Sequence, residues 1–145
     1  ISPTYALELP NDAAIEKGQA RAYAWATYSD GRAKSEQTAL SYGLAEILQL
    51  MPSEYFHHST VNNEKGIEIN IEGKYDIGLI AQDVYNIIPE AVNKPENEEA
   101  ELWSISYDKL VPVMVNAIKE QQHQIESQQQ QIDELKAMVE ELMVK

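Results

Sequence analysis

Residues 111–142 read VPVMVNAIKEQQHQIESQQQQIDELKAMVEEL, and the spacing of apolar residues in this stretch decides the architecture. Val111, Ile118, Ile125, Ile132 and Val139 recur every seven residues. Met114, Gln121, Gln128, Leu135 and Leu142 follow them by three. These are the a and d columns of five consecutive heptads, the pattern of a helix that winds against copies of itself. No glycine occurs from Asp108 onward, and Pro112 falls near the start of the run, where a helix tolerates it best. β-Branched a positions with Leu at every d would favour a dimer. Here Gln121 and Gln128 interrupt the d column, and stacked amides can bond around a three-fold axis, so the expected assembly is a homotrimer. His123 falls at f, on the solvent face.

Upstream, residues 29–107 have mixed α+β character. Leu40, Leu44, Ile47, Leu48 and Met51 recur at helical spacing until Pro52 stops the run. Tyr55-Phe56 reads as a short strand. Ile67, Ile69 and Ile71 alternate with polar residues, and Glu72-Gly73 then reads as the turn of a hairpin returning through residues 75–80. Val84, Ile87 and Ile88 predict a short helix ending before Pro89. Residues 93–101 are polar and acidic and read as an exposed loop, and residues 102–107 alternate again.

Residues 1–28 have a third character. Residues 5–9 alternate before Pro10-Asn11-Asp12 turns. In residues 21–28, Ala22, Ala24 and Ala26 share one face of a strand, and Arg21, Tyr23, Trp25 and Thr27 share the other. The small face admits close approach of another chain, and the aromatic face needs a partner that this segment does not supply. An isolated strand pair is marginal in water. Residues 1–28 therefore read as the end of a larger β-rich passenger, residues 29–107 as a small α+β domain, and residues 108–145 as the coiled-coil helix.

Composition bounds the function. Of the 145 residues, 43% are hydrophobic and 24% charged, a globular balance. Eleven Lys and Arg against 24 Asp and Glu leave a net charge of −13, with no positive surplus to displace counterions, so no nucleic-acid partner is expected. No apolar run approaches membrane-spanning length and no secretory leader opens the chain, so no membrane partner is expected either. The absence of Cys excludes disulfides, thiolate metal sites and cysteine nucleophiles.

Ser29-Asp30-Gly31-Arg32-Ala33-Lys34 carries the most chemistry per residue. A lysine held neutral beside a serine can take its hydroxyl proton and make a nucleophile. In an extended chain the two side chains lie roughly 17 Å apart, and on one helix they diverge by roughly 140°. Pairing therefore requires either a local turn, which Gly31 can supply, or a neighbouring chain of the trimer. The bland alternative is a polar turn capped by Asp30. Other candidates favour structural readings. His57 and His58 are adjacent and point to opposite strand faces, so they do not share an ion. Glu96, Glu98, Glu99 and Glu101 lack the Asp/Asn and Gly spacing of a cation loop. Tyr23, Trp25 and Tyr28 read as packing residues, and no glycine-rich phosphate loop is present. No metal and no cofactor are expected.

The ordered set of motifs resembles the C-terminal intramolecular chaperone, a self-cleaving peptidase domain, of phage endosialidases, tailspikes and tail fibres. A similar domain occurs in the myelin regulatory factor. The matching residues begin with the Ser29 to Lys34 hexapeptide and continue through Tyr42-Gly43-Leu44, Ile47, Leu50 and Pro52. Gly78-Leu79-Ile80-Ala81-Gln82-Asp83-Val84 and Ile88-Pro89-Glu90-Ala91-Val92 follow, then Tyr107-Asp108-Lys109-Leu110 and Ala117-Ile118-Lys119-Glu120-Gln121-Gln122. Two places differ from the usual pattern: Ala33 stands for a Leu, and Ser35-Glu36-Gln37 stands for a polar-Asn-Ile stretch. The resemblance implies a homotrimeric folding aid that holds its own N-terminal β passenger in register and then releases itself, a single-turnover serine autopeptidase. Ser29 would be the nucleophile and Lys34 its base, with cleavage beside Ser29, at the Tyr28–Ser29 or the Ser29–Asp30 bond. It also implies action in the host cytoplasm during virion assembly, the passenger remaining in the virion tail. A non-cleaving structural fibre tip is the alternative.

Overall fold

The computed structural model describes Leu9, Ala20 and residues 22–63 and 66–144. The expected alternation of residues 5–8, the turn at residues 10–12, and Arg21 lie outside the described residues. The fold is α+β. Helix α1 (Leu44–Ile47) precedes a hairpin of strands β1 (Ser53–Asn63) and β2 (Gly66–Gly78), and helix α2 (Ala81–Tyr85) follows. Two-residue strands β3 (Val92–Asn93) and β4 (Ser104–Ile105) pair antiparallel, and helix α3 (Leu110–Met143) completes the order.

The core forms where the short elements meet the root of α3. Val84 and Ile88, the apolar residues expected before Pro89, are almost fully buried. Ala91, Val92, Leu110 and Val113 join them, ringed by Tyr42, Ile47, Leu50, Leu79 and Trp103. Pro89 opens a single 3-10 turn (Pro89–Ala91) because it lacks the N–H that an α-helix would need there. The acidic loop of residues 93–101 is largely exposed, as expected, yet it is fastened to the hairpin end: Glu99 O accepts from Ile67 N at 3.0 Å and Ala100 O from Asn62 Nδ2 at 3.1 Å.

The hairpin differs from the sequence expectation. Residues 67–71 and 75–80 do not pair with one another around Glu72-Gly73. β2 runs straight through Gly73, and its partner is β1, an 11-residue strand rather than a short one at Tyr55-Phe56. The register passes from His58↔Gly73 to Thr60↔Ile69, so residues 70–72 bulge opposite Ser59, and His58 Nδ1 meets Asn70 O at 2.9 Å. Gly73 serves close approach: a Cβ there would run into the His57 carbonyl and, at 2.8 Å, the Phe56 ring. The turn-associated glycine is Gly66, at φ 114° at the start of β2.

Two further expectations are corrected. The helical spacing from Leu40 to Met51 yields only the single turn of α1, because Glu46 Oε2 accepts from Gly43 N at 2.8 Å and fixes the start there, leaving Leu40, Leu48 and Met51 exposed. The alternating segment of residues 22–28 is not a strand; Tyr23, Trp25 and Tyr28 are exposed. A strand needs a ladder partner, and none is made by the described residues. α3 is the long helix expected, and its first turns are two-sided. Leu110 (5% exposed), Val113 (2%) and Ala117 (4%) enter the core, whereas Val111 (51%) and Ile118 (64%) of the a column face outward.

Candidate active site

Ser29 and Lys34 flank a short 3-10 turn (Gly31–Ala33). Asp30 caps it from an extended conformation (φ −67°, ψ 128°), its Oδ1 accepting from Arg32 N at 2.9 Å. Backbone bonds from Ala33 N to Asp30 O (3.0 Å) and from Lys34 N to Gly31 O (3.1 Å) close the turn. The Arg32 guanidinium returns to the same carboxylate, with Nη2 donating to Oδ2 at 2.6 Å and Nε lying 3.1 Å from both oxygens. That ion pair is exposed, so its worth is orientation rather than stability. The hydrogen bonds from the Arg32 side chain, then its backbone N–H, hold the Asp30 carboxyl below the usual carboxylate range.

The turn reverses the chain just enough to bring the two chemical side chains together. Lys34 Nζ donates to Ser29 Oγ at 2.7 Å, within one chain. Gly31 is not what permits this. Its φ lies outside the left-handed region and a Cβ there would meet nothing within 4 Å; the cap and the two backbone bonds close the turn. The strained residue is Glu36, whose φ of 53° is left-handed. Residues 22–41 are all exposed, so Tyr28, Ser29 and Asp30 present both neighbouring peptide bonds to solvent.

Serine and lysine in contact are the minimum for acyl transfer: a nucleophile, and a base once the amine has lost its proton. The other candidates sit as structural elements. The His57 ring lies tilted 6.1 Å from the Tyr55 ring and the His58 ring edge-on 5.0 Å from the Phe56 ring, centre to centre, on opposite faces of β1. Among the described residues no group of acidic or histidine side chains is placed to hold a metal. Among them no helix is long and apolar enough to cross a membrane. The a and d residues of α3 form an exposed stripe, Val111, Met114, Ile118, Gln121, Ile125, Gln128, Ile132, Leu135, Val139 and Leu142.

Sequence reasoning missed the other side of α3. Asn116 and Glu120 reach the chain just ahead of α1: Asn116 Nδ2 donates to Tyr42 O at 2.8 Å, and Glu120 Oε2 accepts from Leu44 N at 2.8 Å. The available signal was Leu110, Val113 and Ala117, apolar residues at helical spacing but outside the a and d columns.

Comparison with known proteins finds similarity to phage tail proteins and to one family. The chain is 29% identical over 99 residues to the long tail fiber protein Gp37 of Enterobacteria phage M1, and equally to that of Enterobacteria phage Ox2. The match covers 68% of this chain and 37% of each relative, so the chain spans well under two thirds of the curated proteins it matches. The model of the family described as the chaperone of endosialidase, named as a peptidase family, matches residues 29–93, beginning at Ser29 itself. Residues 29–93 are thus the part of the chain that is similar to the chaperone-of-endosialidase family.

Proposed function

We propose that this protein is the intramolecular chaperone of a phage tail fibre or tailspike, assembling as a homotrimer through α3 and releasing itself by one round of self-cleavage beside Ser29. The observation that carries the reading is the 2.7 Å contact between Lys34 Nζ and Ser29 Oγ, placed directly after the exposed segment of residues 22–28. In this reading residues 1–28 are the end of the β passenger, residues 29–107 the chaperone and peptidase, and residues 108–145 the trimerising helix. Work is done during virion assembly in the host cell; the passenger stays in the tail.

The chemistry follows from the dyad. Lys34, once deprotonated, accepts the Ser29 hydroxyl proton as Oγ attacks a peptide carbonyl carbon. Attack on the Tyr28 carbonyl closes a five-membered ring. The amide nitrogen of Ser29 then leaves with a proton from Lys34, giving an ester of Tyr28 on Oγ, and water hydrolyses that ester to separate the chains. Attack on its own carbonyl would require a strained four-membered ring, so cleavage between Ser29 and Asp30 needs a neighbouring chain's nucleophile or another route. Lys34 is exposed in the single chain. Packing of passenger and neighbouring chains over the turn removes its water and favours the neutral amine. Cleavage thereby waits for assembly.

The hairpin supports the folding role. Ile69, Tyr75 and Ile77 lie on one face of β2 with Phe56 of β1 and are 65%, 83%, 75% and 39% exposed. An apolar strip of this kind on a ribbon roughly 40 Å long is suited to holding passenger strands. Intact mass of the purified full chain tests the reading. A wild-type chain cut beside Ser29 and a Ser29→Ala chain left whole are expected. Identical masses for both, apart from the substitution, would leave a fibre tip that does not cut.

A further inference from the structure

We infer that Asn116 and Glu120 are positioning residues for self-cleavage, tying the segment that carries Ser29 and Lys34 to the root of the coiled-coil helix. This rests on the proposed function. Residues 22–41 are exposed throughout; Tyr42 is the first partly covered residue after Lys34, and Gly43 is buried. The chain that bears the dyad therefore enters the folded body at Tyr42-Gly43-Leu44, and α3 holds all three residues. Asn116 Nδ2 donates to Tyr42 O at 2.8 Å. Glu120 Oε2 accepts from Leu44 N at 2.8 Å, and its carboxylate lies so close over Gly43 that a Cβ there would overlap it. Asn116 Nδ2 also reaches Glu120 Oε1 at 3.1 Å, bracing one side chain against the other across a helical turn. A second tie fixes Tyr42 from α3's approach: its hydroxyl donates to Glu90 Oε2 at 3.0 Å, and Lys109 Nζ donates to Glu90 O at 2.8 Å.

Asn116 and Glu120 fall at heptad positions f and c, whereas Met114, Ile118 and Gln121 carry the a and d stripe over the same turns. One stretch of helix thus presents its stripe to the other chains and its opposite side to the strap. When three stripes lock, α3 can no longer roll about its axis, and the strap loses that freedom with it. The turn between Ser29 and Lys34 then has a fixed origin relative to the three-fold axis. Without the stitch, coil and dyad would be assembled and still be out of register, and a displacement of about 1 Å costs an intramolecular reaction about 100-fold.

The test uses the full chain, following the fraction cut by intact mass and the oligomeric state by light scattering on the same samples. Ser29→Ala is the uncut reference. Glu120→Ala leaves every a and d residue in place, so it is expected to remain trimeric while cutting at least about tenfold more slowly. Glu120→Gln, which keeps an oxygen for Leu44 N–H, recovers part of the rate. Gly43→Ala, which displaces the carboxylate from the other side, slows cleavage as well, and adding it to Glu120→Ala slows it no further. Should Glu120→Ala lose its trimer, Gly43→Ala decides alone. Trimers of either variant that cut at the wild-type rate overturn the inference while leaving the proposed function standing. A wild-type chain that is never cut overturns both.

Discussion

At the scale of single residues, the turn around Asp30 sets what can be tested first. Ser29→Ala and Lys34→Ala should each give whole chains of unchanged assembly. Lys34→Arg should do the same, because guanidinium does not become a neutral base; intact mass reads all three. Gly31→Ala is expected to cut normally, since its Cβ enters open space and no left-handed φ is required. Glu36→Asn should relieve about 1 kcal/mol of local strain, because asparagine tolerates the left-handed φ of 53° better. Slower exchange of the Lys34 amide, which closes the turn on Gly31 O, would report it. Asp30 gives the turn a pH dependence. Its carboxyl is held below the usual range by Arg32, so the cap is fully present above an unfolded aspartate's pKa of about 3.9 and is lost as pH falls through the depressed folded value. An NMR titration of the Arg32 amide should show a midpoint below that of a free aspartate, moving up in Arg32→Ala.

Among the elements, α3 and the hairpin make separable contributions. Ile125→Asp with Ile132→Asp places charges in two layers of the exposed stripe and should leave monomers or aggregates by light scattering. Ile69→Asp with Ile77→Asp alters only the apolar face of the ribbon, so trimer should persist while the yield of folded passenger falls; unchanged yield would remove the hairpin from the folding role. In the core, Ile88→Ala should cost about 2–5 kcal/mol in denaturant unfolding, because Ile88 is only 2% exposed and the space it leaves is enclosed by α2 and α3. Tyr42 adds a limit at high pH. Its hydrogen bond to Glu90 comes first, then partial burial and the charges of Glu90 and Glu46, and together they raise the phenol above its ordinary value. A raised folded value means that this contribution is complete below an unfolded tyrosine's pKa of about 10 and disappears as pH climbs through the folded one. Tyr42→Phe should flatten that alkaline loss in denaturant titrations.

Taken as a whole molecule, the chain places its chemistry on an exposed segment, its core at the root of one helix, and its apolar stripes on surfaces that a single copy leaves bare. If cleavage reports assembly, Ile125→Asp with Ile132→Asp should stop self-cleavage together with trimer formation although Ser29 and Lys34 are untouched, and mass and light scattering on one sample would show whether the two are lost together. Much of this was legible in the residues. The seven-residue spacing from Val111 to Leu142 determines a long helix whatever surrounds it, since periodicity and the absence of glycine act locally. The short helix expected before Pro89 is there but ends at Tyr85, so Val84 lies in it and Ile88 beyond it, and the acidic composition of residues 93–101 kept most of them in solvent. Gly73 misled because a glycine serves a turn and a close backbone approach equally well, and only the position of the His57 carbonyl on the facing strand distinguishes them. The pairing of Ser29 with Lys34 was open between a local turn and a neighbouring chain; within the single chain the Asp30 cap and two backbone bonds set a turn in which Lys34 Nζ meets Ser29 Oγ. The second side of α3, with Leu110, Val113, Asn116 and Glu120 facing the body, was decided by tertiary packing alone. Heptad spacing states which face wants a partner, but hydrogen bonds between residues more than 70 positions apart exist only after the chain has folded.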